Sequence, residues 1–216
     1  IYNTAFIKFS EKNYESANEI FKKYLNDFVD GNFYVDALYY CAVSSIEIND
    51  SSTASLYYNL ILENSDQKYR EQSLVYFARK YYNSKNYDLS NKYYNDLQEV
   101  ISSNSLKREV LIRLMHGYEN INRKKAASYA NKVLDFDKKD DWLLSKAYII
   151  IARNAYDNGN YIKSNYLYKK VSLISRYAEG AESMYYIAYF AFLNDSLSIA
   201  ENTIFKLADD YHSDHY

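Results

Sequence analysis

Small residues recur along this chain at a nearly fixed interval. Ala17, Ala54, Ser90, Ala127, Ser164 and Ala200 follow one another in steps of 36 or 37 residues. A second small residue stands twelve positions earlier, at Ala5, Ala42, Ala78, Ala152 and Ala188, with Met115 in the fourth unit. A large residue follows four positions later at Phe21, Tyr58, Tyr94, Tyr168 and Ile204. The fourth unit fits after a one-residue slip, with Ala126 and Ala130 as the pair. A period in the thirties excludes most globular topologies and points to an array whose units stack only on their neighbours.

Inside each unit the apolar spacing is helical. Leu74, Phe77, Ala78 and Tyr81 fall at i, i+3, i+4 and i+7, and so do Leu111, Leu114, Met115 and Tyr118. Each unit therefore holds two amphipathic helices. The break between them is expected at Asn13, Asp50, Asn86, Arg123, Asn160 and Ser196, mostly residue types that cap a helix by accepting from free backbone amides. The chain has no proline and only 4 glycines in 216 residues, too few for the turns of a β-rich fold. The small residues mark close crossings of paired helices, and the large residue four later fills the groove against the next pair. The expected fold is all-α, with six repeats over residues 1–30, 31–65, 66–103, 104–139, 140–176 and 177–216. The chain begins and ends without terminal signals, so it is expected to be a piece of a longer repeat protein.

The stretches YNTAFIKFSEKNYESANEIF, LVYFARKYYNSKNYDLSNKYY and YIIIARNAYDNGNYIKSNYLY resemble the tetratricopeptide repeat (TPR). That family's pattern runs from a large residue through Leu-Gly or Leu-Ala, then Tyr, then Gly-Asp-Tyr, to an Ala with an aromatic four beyond. The resemblance covers essentially the whole chain and implies a right-handed α-solenoid that binds proteins. The family's repeat-ending proline is missing throughout. NTAFIKFSEKNYESANEIFKKYL and AEGAESMYYIAYFAF are similar to TPR proteins of the bacterial cell envelope, such as the Tol–Pal adaptor and the lipoproteins of outer-membrane assembly. The resemblance implies a periplasmic or envelope location, with the cytoplasm as the alternative.

The residues offer little for catalysis. No HExxH, glycine-rich phosphate loop or EF-hand spacing is present, and DFDKKDD reads as a polar turn in which Asp140 or Asp141 caps a helix. His212, Asp214 and His215 of HSDHY could touch a metal but read better as a polar chain end. Cys41, the sole cysteine, sits at a core position. The expectation is a non-enzymatic protein without a cofactor or a metal. A formal net charge of −2, from 26 Lys plus Arg against 28 Asp plus Glu, gives no electrostatic reason to bind nucleic acid. No apolar run reaches the roughly 20 residues of a membrane span.

In a hairpin solenoid the first helix of each repeat lines the concave side. Positions one after the large residue, then four and seven further on, face the groove. They select Tyr2, Phe6 and Phe9; Tyr39, Val43 and Ile46; Val75, Arg79 and Tyr82; Ile112, His116 and Glu119; Ile149, Arg153 and Tyr156; and Tyr185, Tyr189 and Phe192. Tyr39, Arg79, Tyr82, His116, Arg153, Tyr156, Tyr185 and Tyr189 are the candidate partner-binding residues, since Tyr and Arg dominate protein-recognition hot spots. A peptide or protein segment is the expected partner. The Lys/Asn clamp of chaperone-binding TPR domains is not reproduced, as Tyr2, Phe6 and Tyr40 stand at the early positions. Two alternatives stay open: self-association through solenoid ends, and the sensor domain of a regulatory protein.

Overall fold

The computed structural model describes residues 1–64, 69–101 and 103–211. Among them are twelve α-helices in sequence. They are α1 (Tyr2–Ser10), α2 (Tyr14–Asp27), α3 (Tyr34–Glu47), α4 (Ser51–Glu63), α5 (Arg70–Asn83), α6 (Tyr87–Leu97), α7 (Asn104–Tyr118), α8 (Arg123–Phe136), α9 (Asp141–Asp157), α10 (Tyr161–Ile174), α11 (Ala178–Leu193) and α12 (Leu197–Asp210). They pair as six helical hairpins, and no strand occurs among the described residues. The chain forms two compact units, Ile1–Ile101 with α1–α6 and Ser102–Tyr216 with α7–α12. His212, Asp214 and His215 lie outside the described residues.

The turn within a hairpin is chemically repetitive. Asn13, Asp50, Asn86 and Asn160 each accept from the backbone amide three residues on, at 3.1–3.3 Å. The amide of each of these caps donates to the carbonyl five residues back, in Lys8, Ser45, Tyr81 and Ala155, and Ser196 does the same to Ala191. The residue just before each cap is left-handed: Lys12, Asn49, Lys85, Gly159 and Asp195. Together these features make a helix end closed by a 6→1 backbone bond and followed at once by the next N-cap. Ser196 departs in one respect, because its hydroxyl reaches the Asn194 carbonyl and caps nothing.

The fourth hairpin breaks at Asn122, one residue before the expected Arg123. Asn122 accepts from the Lys125 amide at 3.0 Å, and its own amide bonds only four residues back, to Tyr118. No left-handed residue precedes it. Asn122 follows Met115 by seven residues, where each other cap follows the small residue of its first helix by eight, and this accounts for the one-residue slip; Ala126 and Ala130 are both fully buried.

The small residues sit where paired helices touch. Ala5, Ala17, Ala42, Ala78 and Ala152 have no exposed surface. Where the second helix carries serine, its hydroxyl spans the contact: Ser90 donates to the Ala78 carbonyl at 3.1 Å, and Ser164 to that of Ala152 at 3.0 Å. The core of the first unit is built on Phe21, Leu38, Tyr58, Leu74, Phe77 and Tyr94. That of the second gathers Leu143, Ile149, Ile151, Tyr168, Val171 and Phe190. Asn18 is buried beside α3 and donates to the Cys41 carbonyl and the Ser45 hydroxyl at 3.1 and 2.6 Å. Cys41 itself is fully buried, and burial pushes its thiol up to about 12, which makes it an inert packing group.

Consecutive first helices are also tied together. Tyr76 and Lys80 of α5 both donate to the Glu47 carboxylate of α3. Tyr69 donates to Asp36 at 2.6 Å, and Lys146 of α9 pairs with Glu179 of α11. Near its end the second unit folds back on itself. The Tyr211 hydroxyl donates to the Ser175 carbonyl at 3.0 Å, and Gly180 must be glycine because a Cβ there would strike both groups.

Candidate functional site

First helices stand side by side, α1 against α3 and α9 against α11, and this decides which groove-facing positions remain accessible. Val43, Ile46 and Ile149 were expected to line the groove, yet all three are buried. Their side chains are too short to reach past the neighbouring helices, so they belong to the core. Long side chains at equivalent places stay reachable: Tyr39, Tyr82, Arg153, Tyr156 and Tyr189 are partly buried, and Arg79, His116, Tyr185 and Phe192 are exposed.

In the first unit Tyr39 stacks on Tyr69, with ring centroids 4.7 Å apart and planes 11° from parallel. Burial raises the pKa of the Tyr39 phenol, with Tyr40 adding to the effect. Tyr82 of α5 sits edge-on to Tyr87 at 5.5 Å. Arg79 is exposed on the same helix and engages a neighbour.

In the second unit the geometry overturns one expectation. Arg153 was read as a cation open to a ligand, but it is a clamp within the protein. Its Nε and Nη2 donate to Glu182 of α11 at 2.8 and 2.5 Å, and its Nη1 donates to Glu119, just past α7, at 2.6 Å. The Glu182 bond and both carboxylate charges raise the guanidinium's pKa far above its ordinary value. His116 is exposed on α7 and is also engaged.

Around this clamp the rings form a continuous surface. Tyr156 meets Tyr186 edge-on at 5.2 Å and lies 6.5 Å from Tyr189, centroid to centroid. The neighbouring Tyr189 phenol, together with desolvation, raises the Tyr156 phenol above its ordinary value. Tyr185 stands edge-on to Tyr186 at 5.4 Å and is 53% exposed, and Phe192 is 59% exposed. Sequence reasoning missed Tyr186, which stacks on Tyr168 at 4.5 Å and orients the whole group. The signal was present: Tyr40, Tyr76 and Tyr186 each stand two residues before a small residue of a first helix.

Chemically this surface offers ring edges and faces, phenol hydroxyls, and guanidinium and imidazole groups already oriented by partners. Among the described residues no three His, Cys, Asp or Glu side chains could hold a metal ion, and no helix is long and apolar enough to cross a membrane.

The helical hairpins have solved counterparts. PilF of Pseudomonas aeruginosa is similar over 98% of this chain and 90% of its own, at 15% identity and a TM-score of 0.51. The C-terminal part of a TPR repeat-containing protein from Cytophaga hutchinsonii is similar over 100% of this chain and 97% of its own, at 17% identity and a TM-score of 0.48. The fold is therefore an all-α array of sequential helical hairpins like that of PilF. No family model matches the sequence, and no curated protein matches it.

Proposed function

We propose that this protein is a non-enzymatic scaffold that holds a peptide or protein segment against the exposed face of its first helices. The observation that carries this reading is the ring group of Tyr156, Tyr185, Tyr186 and Tyr189 with Phe192 beside it. Rings locked by one another lose little entropy on binding, and tyrosine combines a large apolar face with a hydrogen-bonding tip. The fold supports it too, since TPR-type arrays present extended surfaces to other proteins. The bacterial envelope is the compartment we favour, on the resemblance of the repeat wording to envelope TPR scaffolds.

The test is site-specific photo-crosslinking in cells that express the protein. A benzophenone side chain at Tyr185 or Tyr82 should trap a partner protein, and one at Lys169, exposed on α10, should not. Trapping only at Lys169 would reject the first-helix face. Fractionation of the same cells tests the compartment.

A further inference from the structure

The second helix of an interior hairpin meets its neighbours on one side, so it should be apolar along one stripe only. α10 is apolar along two. Ser164, Leu167, Tyr168 and Val171 are buried where α10 packs on α9 and α11. Opposite them, Ile162, Tyr166, Lys169 and Leu173 stand at i, i+4, i+7 and i+11 and form a second stripe that faces outward. Ile162 is 88% exposed, Leu173 81% and Tyr166 57%. Single exposed apolar residues are ordinary on a protein surface, but three aligned along one helix mark an interaction face. α10 is held between α9 and α11, so this face is not an end of the array.

The charge around the stripe has one sign. α10 carries Lys163, Lys169 and Lys170 and no acidic residue. α8, the preceding second helix, carries Arg123, Lys124, Lys125 and Lys132 against Asp135 alone. The net charge of −2 thus hides a basic face on a chain that is otherwise acidic. The two helices flank one cleft of about 410 Å³ beside α9, where Lys124 and Lys163 stand among Ser128, Asn131, Asn154 and Asn158 and no carboxylate lines the wall. Lys170 lies over the rings of Tyr148 and Tyr166, at 5.0 and 4.9 Å, so cation and ring are presented together.

We infer that the outer face of α10 and the basic side of α8 dock on an anionic lipid surface. Ile162, Tyr166 and Leu173 enter the interfacial layer, and Lys124, Lys163 and Lys169 meet lipid phosphates. The place of Lys169 decides between a bilayer and a protein. It stands inside the stripe, between Tyr166 and Leu173, and lysine is depleted from the cores of protein interfaces, where its ammonium would lose water. At a bilayer the long stem lies along the apolar side chains while the charge stays with phosphate and water. α10 lies on the surface and does not span it, as its 14 residues are too few. The contact uses second helices only, so it stands independently of partner binding by the first helices.

The experiment is flotation of the 216-residue protein with phosphatidylcholine vesicles, with and without phosphatidylglycerol, at low and high salt. Binding is expected to vesicles that contain phosphatidylglycerol, should fall as salt rises, and should be absent on phosphatidylcholine alone. Lys163→Glu/Lys169→Glu should lower it about tenfold or more, and so should Ile162→Ser/Leu173→Ser. Lys23→Glu/Lys92→Glu, which makes the same charge change on α2 and α6, should leave it unchanged. All of these positions are exposed, and circular dichroism checks that each variant is folded. No binding to anionic vesicles at low salt overturns the proposal, and so does an equal loss in the α2 and α6 variant. Binding that Ile162→Ser/Leu173→Ser leaves intact overturns the apolar contact and with it the docking face. Duplex DNA bound through Lys163 and Lys169, with vesicles left unbound, overturns it in favour of nucleic acid.

Discussion

Ala152 and Ser164 meet across the fifth hairpin, with the Ser164 hydroxyl on the Ala152 carbonyl and no exposed surface at either residue. A methyl is the largest group that such a contact accepts. Ala152→Leu should overpack it and lower stability by about 1–3 kcal/mol, read as a shifted chemical-denaturation midpoint. An unchanged midpoint would contradict the helix crossing. Arg153, the next residue, has the opposite character. Removing it strands Glu119 and Glu182, whose side chains are 27% and 25% exposed. Arg153→Ala should therefore cost roughly 2 kcal/mol, below the about 3–5 of a fully buried pair because water still reaches these groups. Arg153→Lys should recover part of this, since a single ammonium cannot fork onto both carboxylates. A melt identical to wild type for Arg153→Ala would return this residue to the list of ligand-binding cations. The two neighbours differ in how legible they were. Ala152 announces itself by its interval from Ala78 and Ala188, whereas the partners of Arg153 lie 29 and 34 residues away, a pairing that no local pattern encodes.

The hairpin turn is the element whose chemistry repeats most faithfully. Four of its five regular copies combine a left-handed residue with an Asn or Asp cap, and both follow from local sequence. That is why the helix breaks could be placed from the sequence. Lys85 adopts φ 60° in an exposed turn, where a side chain costs about 1 kcal/mol relative to glycine. Lys85→Gly should therefore stabilise the protein by about 0.5–1 kcal/mol, visible as a higher melting temperature, and a lower one would contradict the turn geometry. Legibility failed where an element depends on its neighbours. Val43, Ile46 and Ile149 share the register of the exposed tyrosines, and only the helices beside them bury them.

The α3–α5 tie through Glu47 carries a pH signature. Burial alone would raise this carboxyl, but the hydrogen bonds from Lys80 and Tyr76 outweigh it and hold its pKa below the ordinary value. Its folded pKa thus lies below its unfolded one, near 4.3 for a free Glu. The stability it contributes is present above that value and is lost as pH falls through the folded pKa. The melting temperature should drop more steeply for wild type than for Glu47→Gln as pH is lowered from about 5 to 3. Equal slopes would show that the tie has no linkage to folding.

Across the whole molecule, the fold class and the pairing of helices were written in a period of small residues, because each unit meets only its neighbours and its pattern is therefore local. The proposed binding face was written only in outline. Tyr82, Tyr156, Tyr185 and Tyr189 do line the first helices, but their orientation comes from ring partners such as Tyr186 and Tyr87. The central claim is that this ring surface, and not the second-helix face, holds the partner. It is tested most directly by calorimetric titration of a crosslink-identified partner segment into Tyr185→Ala, Tyr189→Ala and the α10 control Lys169→Ala. The account predicts affinity lowered about tenfold or more by the tyrosine variants and unchanged by the control. Wild-type affinity in both tyrosine variants, with weakened binding in Lys169→Ala, would contradict it.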